Sequence, residues 1–168
     1  MKKAVAIAVL MAALVNGFIL GSQTFAKADG YFILCNPGSY LNARIKPNKH
    51  GSLIGYLYCG DYVETDGQEK GGFAHCVNLT YETDEGWVHT GYFVEDEPKI
   101  ETFKATVVAS GRVSCRNRIG GERIRWAKPG AEVTVFAYTD EWCVTNKGYI
   151  QTKYLQTNTK TEKSNSRE

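Results

Sequence analysis

The chain has 168 residues, of which 43% are hydrophobic and 23% charged, and a formal net charge of +2 at neutral pH. That balance excludes a disordered chain, and the length leaves room for one ordinary domain or two very small ones. The small net charge also speaks against nucleic acid as a partner.

At the N-terminus, Lys2 and Lys3 precede an apolar run from Ala4 to Leu20, and Ala26-Lys27-Ala28 follows. This is the pattern of a secretory signal with an Ala-x-Ala cleavage site, so residues 1–28 are expected to be removed and the product to be secreted or held at the cell envelope. Asn16 and Gly17 interrupt the apolar run and oppose the alternative of an uncleaved membrane anchor. Membrane contact is then limited to the signal before cleavage. Removal takes Lys2, Lys3 and Lys27 from the 20 basic residues, leaving 17 against 18 acidic ones. Their distribution is uneven: residues 29–98 carry 4 Lys or Arg against 11 Asp or Glu, and residues 104–155 carry 9 against 4.

The rest of the chain repeats itself. Leu41-Asn42-Ala43-Arg44 answers to Val113-Ser114-Cys115-Arg116, and the run from Ile54 to Val63 answers to that from Ile124 to Val133. The stretch from Gly86 to Phe93 answers to that from Gly148 to Leu155, in the same order. The first copy holds extra residues, most of them between Gly60 and Gly86, where the polar, acidic run from Asn78 to Glu85 fits an enlarged hairpin loop. Within each copy apolar residues alternate over short runs, as in Val133-Thr134-Val135-Phe136, with Gly, Asn, Asp or Pro between them. Short strands at close spacing predict an all-β chain. The boundaries are a first unit over 29–98, a linker over 99–103, a second unit over 104–156 and a polar tail over 157–168 expected to be disordered.

In order and spacing these anchors resemble the bacterial SH3-like family: hydrophobic-Asn-hydrophobic-Arg, then a hydrophobic-Gly strand running to Gly-x-x-Val, then a closing Gly-aromatic-Val with Tyr-Leu. The resemblance covers about two thirds of the chain and implies two tandem small SH3-like β-barrels. It departs from the pattern after Arg116, where the second copy lacks a counterpart of Pro47, and in the basic stretch Arg118–Arg125. What it implies for function is a secreted, non-catalytic binding protein attached to cell-wall peptidoglycan or an anionic wall polymer. The alternative is a secreted protein-interaction or inhibitor module, with a protein as its partner.

Individual residues refine the expectation. His75, Cys76 and His89 form a poor nucleophilic set, because no oxyanion site is in view and both folded units are already assigned; no catalytic residue is expected. Adjacent His75 and Cys76 would face opposite sides of a strand, no His or Cys spacing suits a metal, and no cofactor is expected. Of the five cysteines, Cys115 and Cys143 are the expected disulfide, being the only two in the second copy. The alternative is two buried thiols. Among Cys35, Cys59 and Cys76 the pairing is open. Most aromatic residues belong to the core, and Tyr56, Tyr58, Tyr81 and Trp126 are the ones expected at the surface to line a peptide or glycan groove. The basic group Arg112, Arg116, Arg118, Arg123 and Arg125, with Lys128, is either a solvated charged surface or an anion site able to pair with carboxylate or phosphate, on a wall polymer, a stem peptide or the oppositely charged first unit itself.

Overall fold

The structure, a computed structural model, describes residues 29–79 and 85–158. The signal segment, residues 159–168 and Tyr81 lie outside the described residues. The first unit contains β1 (Asp29–Ile33), β2 (Leu41–Arg44), β3 (Leu53–Leu57), β4 (Tyr62–Lys70), β5 (Phe73–Cys76), β6 (Gly86–His89) and β7 (Phe93–Val94). The second contains β8 (Phe103–Val107), β9 (Val113–Arg116), β10 (Arg123–Ala127), β11 (Glu132–Tyr138), β12 (Trp142–Thr145), β13 (Gly148–Gln151) and β14 (Leu155–Thr157). A single 3₁₀ turn, Thr90–Tyr92 or Thr152–Tyr154, precedes the last strand of each.

The strand orders are β3-β2-β6-β5-β4-β1-β7 and β10-β9-β13-β12-β11-β8-β14. They correspond strand for strand, so the sequence duplication is a duplication of topology. The fold is all-β, two tandem small barrel-like domains built from antiparallel strands. Gly60 and Gly130 stand at the same turn in the two copies with φ of 92° and 76°, a region where a side chain would be strained. Each amide donates back to the end of the first strand, to the Ile33 carbonyl in one case and to Val107 in the other.

Period-two alternation fills each barrel. Ile33, Leu57, Val63, Cys76 and Val88 are buried in the first, and Val107, Cys115, Val133, Val135 and Ile150 in the second. A third apolar cluster joins them: Leu34 of the first barrel packs with Ala137, Val144 and Tyr149 of the second. The Tyr149 hydroxyl donates to the Leu34 carbonyl at 2.8 Å, the Ile119 amide donates to the Gly91 carbonyl at 3.0 Å, and Lys99 pairs with Tyr138 through two backbone hydrogen bonds. The barrels are therefore docked, and the expected linker is ordered at its start by the second barrel.

Three expectations are corrected. The tail does not begin at 157: Thr157 pairs with Ala105 in β14, and the Asn158 amide donates to the Lys104 carbonyl. The Cys115–Cys143 disulfide is not formed, and both are buried free thiols. The reason is topological: β13 lies between β9 and β12, and two strand spacings, about 9.5 Å, exceed the reach of a disulfide. The opposite charges of the two units also do not meet as ion pairs. Among the described residues the ion pair is Lys104–Glu132, and His75 hydrogen-bonds to Asp66, each within one barrel.

Candidate functional site

On β9, Val113 and Cys115 face the core, so Ser114 and Arg116 face outward. On β12 the same alternation buries Cys143 and leaves Trp142 half-exposed. Gln151 ends β13, and Tyr154 stands on the following 3₁₀ turn. These outward side chains, the Ala109–Arg112 turn between β8 and β9, and Gly120 of the next loop line a cleft of about 540 Å³. Its walls offer two guanidinium groups, an indole, a phenol, an amide and serine hydroxyls. That set suits a ligand carrying a carboxylate or phosphate beside a flat or apolar body.

Of the candidate arginines, Arg112 and Arg116 reach this cleft. Arg116 has a second duty, since its Nη1 donates to the Gly121 carbonyl at 2.6 Å across the β9–β10 loop. Arg44, its counterpart, does the same to the Gly51 carbonyl at 2.8 Å. Arg123 lies over the Trp126 ring at 4.2 Å and Arg112 at 5.9 Å, so indole and guanidinium groups form one exposed stack on the edge strand β10. Arg125 is exposed on that strand and takes no part in the cleft.

Arg118 points elsewhere. Its side chain lies against Gly91 of the first barrel, so close that a Cβ at Gly91 would fall 2.6 Å from the Arg118 Cδ. His89 and Tyr92 around it occupy the places that Gln151 and Tyr154 hold beside the second barrel's cleft. The surface of the first barrel that corresponds to the cleft is thus in contact with the second barrel's loop. His89 accepts from the Gly91 amide through Nδ1 at 3.0 Å, and burial, with the Arg118 charge, holds its pKa below 6.5.

In the first barrel Tyr56 and Tyr58 are exposed, Tyr56 packing edge-on against Tyr40 at 4.4 Å between centroids. Neither lines the cleft. Trp142, Gln151 and Tyr154 were not among the expected ligand residues, although the Trp142-Cys143 alternation carried the signal that the indole faces out. Trp142 also borders a second hollow of about 250 Å³ at the seam between barrels, rimmed by Glu95, Asp96 and Glu141. One indole therefore separates a basic recess from an acidic one.

The remaining reactive groups are held apart. His75 Nδ1 pairs with Asp66 at 2.9 Å and its ring packs on Trp87, while the neighbouring Cys76 is fully buried, its thiol pushed by burial up to about 12. Among the described residues no three His, Cys, Asp or Glu side chains gather as a metal-holding group.

No family model matches the chain, and no curated protein matches it. Among solved structures it is similar to NlpC1 from Trichomonas vaginalis, with 22% identity over 80% of this chain and 48% of that one and a TM-score of 0.34. It is also similar to NlpC2 from the same organism, with 20% identity over 79% of this chain and 49% of that one and a TM-score of 0.30. The chain thus spans about half the length of each of these two solved chains.

Proposed function

We propose that the chain is a secreted, non-catalytic binding protein of the bacterial SH3-like kind that attaches to cell-wall material through the cleft of its second barrel. The observation that carries this reading is the convergence of Arg112 and Arg116 with Trp142 and Tyr154 on one recess. Guanidinium groups pair with carboxylate or phosphate, and the rings give an apolar face to a sugar or a peptide backbone. The acidic hollow across Trp142 extends the fit to a ligand that also bears an amine, as a peptidoglycan stem peptide does. The pairing of His75 with Asp66 and the burial of Cys76 support binding rather than nucleophilic catalysis.

The test is retention on purified cell wall, intact and stripped of its anionic polymers. Arg112→Ser should lower retention about tenfold, the value of one charge-assisted hydrogen bond. Retention lost on stripping assigns the ligand to the anionic polymer, and retention kept assigns it to peptidoglycan. No retention on either material, or retention indifferent to Arg112→Ser, overturns the reading. The Tyr40–Tyr56 patch with Tyr58 favours a second reading, a protein-interaction module, for which Tyr56→Ser in place of Arg112→Ser would abolish binding to a protein partner.

A further inference from the structure

Two parts of the cleft wall, Trp142 and the β9–β10 loop, rest on the first barrel. Trp142 and Ile119 pack against the apolar cluster to which the first barrel contributes Leu34, Tyr92 and Val94. Beside Ile119 in the loop stands Gly120, which with Arg116 lines the cleft. The Asn117 amide donates to the Glu122 carbonyl at 3.0 Å and the Gly121 amide to the Arg118 carbonyl at 3.1 Å, so the loop is one tight turn.

Gly91 is where this turn meets the backbone of the first barrel. Its carbonyl accepts the Ile119 amide at 3.0 Å, and its own amide is held by His89 Nδ1 at 3.0 Å. Its missing side chain matters as much. A Cβ there would fall 2.6 Å from the Arg118 Cδ and 3.2 Å from its Cγ, and a Cβ at Gly121 would fall 2.5 Å from that same Cγ. The Arg118 stem is therefore packed on two glycines, one in each barrel, with no room for a methyl group at either. From Gly121 the contact runs on to the cleft, because its carbonyl accepts Arg116 Nη1 at 2.6 Å. The first barrel is an internal control. Arg44 Nη1 likewise reaches the Gly51 carbonyl, and Gly51 packs on Lys46, two residues after Arg44 as Arg118 is after Arg116. That brace closes within its own loop, whereas the one in the second barrel continues into the first.

We infer that Gly91 is a positioning residue for the cleft of the other barrel: through Arg118 and Ile119 it sets where Arg116 and Gly120 stand, so affinity in the cleft depends on barrel docking. The inference rests on the binding role proposed for that cleft. By linkage the dependence is reciprocal, and a ligand in the cleft tightens the docking by the same factor. The first barrel thus acts on binding without lining the cleft, and the docked pair is the binding unit.

The test uses the full chain, isotope-labelled for nuclear magnetic resonance, as the parent, as Gly91→Ala, and as Gly91→Ala combined with Arg118→Ala. Gly91 does not have a left-handed φ, so alanine brings only its methyl group, which must displace the Arg118 stem. Without ligand, the Arg116 Nε–H and Trp142 indole N–H signals should shift in Gly91→Ala. They should return to the parent's positions in the double variant, where the stem is gone and the Ile119 amide regains the Gly91 carbonyl. On purified cell wall Gly91→Ala should be retained at least about fivefold less than the parent, the lower end of couplings between sites, and the double variant within about twofold of the parent. Three results would each overturn the inference: Arg116 and Trp142 signals unmoved by Gly91→Ala, signals that move without recovering in the double variant, and Gly91→Ala retention within about twofold of a retained parent. A parent that is not retained on the wall overturns the binding reading instead, and the ligand-free signals then decide the positioning alone.

Discussion

Arg44 and Arg116 occupy one position of the repeat and each spans its loop to a backbone carbonyl. Their recurrence is therefore a matter of scaffold, and the feature particular to the second barrel is Arg112, where the first has Tyr40 across from Tyr56. His89 is the corresponding departure in the first barrel, standing where the second has Gln151. Its Nδ1 must stay unprotonated to accept from the Gly91 amide, and Arg118 adds a positive charge nearby. A histidine whose pKa is lower folded than unfolded binds more protons when unfolded. Its contribution is complete above pH 6.5 and is lost as the pH falls through 6.5 to the depressed folded value. His89→Gln keeps an acceptor for the amide and removes the titration. The variant's melting midpoint should accordingly fall less than that of the parent between pH 7.5 and 5, as followed by circular dichroism. Parallel midpoints across that range would remove His89 from the account.

At the scale of elements, β10 is an edge strand, and edge strands invite pairing with other chains unless charge opposes it. Arg123 and Arg125 supply that charge, with Arg123 also covering the Trp126 ring. Replacing both by Ser should leave wall retention within twofold and stability within about 0.5 kcal/mol, as for a surface change, while raising concentration-dependent association. Light scattering against concentration distinguishes this from a role in ligand binding, which would lower retention instead. The strands and their duplication were legible in the sequence because alternation and turn residues are local signals. The division of labour among the arginines was not, because the β9–β10 loop is shaped by a contact remote in sequence, Ile119 with Gly91, that carries Arg118 away from its neighbours. The Cys115–Cys143 expectation failed for a related reason: two cysteines in one core count as a pair by composition, and only the strand order shows β13 between them.

At the scale of the whole molecule, each barrel has its own core, yet the third cluster belongs to neither alone. Separating residues 29–98 from 99–158 would expose Leu34 on one piece and Ala137, Val144 and Tyr149 on the other, apolar surface at about 25 cal/mol per Å². Each half retains a complete strand set and should fold alone, but with a melting midpoint below that of the intact chain. The intact chain should melt in one transition, since docking couples the two cores. Tyr149→Phe tests the coupling at a single atom. It keeps the ring in place and removes the hydroxyl that satisfies the buried Leu34 carbonyl, a loss of about 1–3 kcal/mol. If docking is what joins the two melts, that loss should fall wholly on the intact chain. The isolated second barrel, in which the hydroxyl has no Leu34 to reach, should melt alike with Tyr or Phe. An equal loss in the isolated barrel would place the stabilising role of Tyr149 within its own core and leave the two barrels energetically independent.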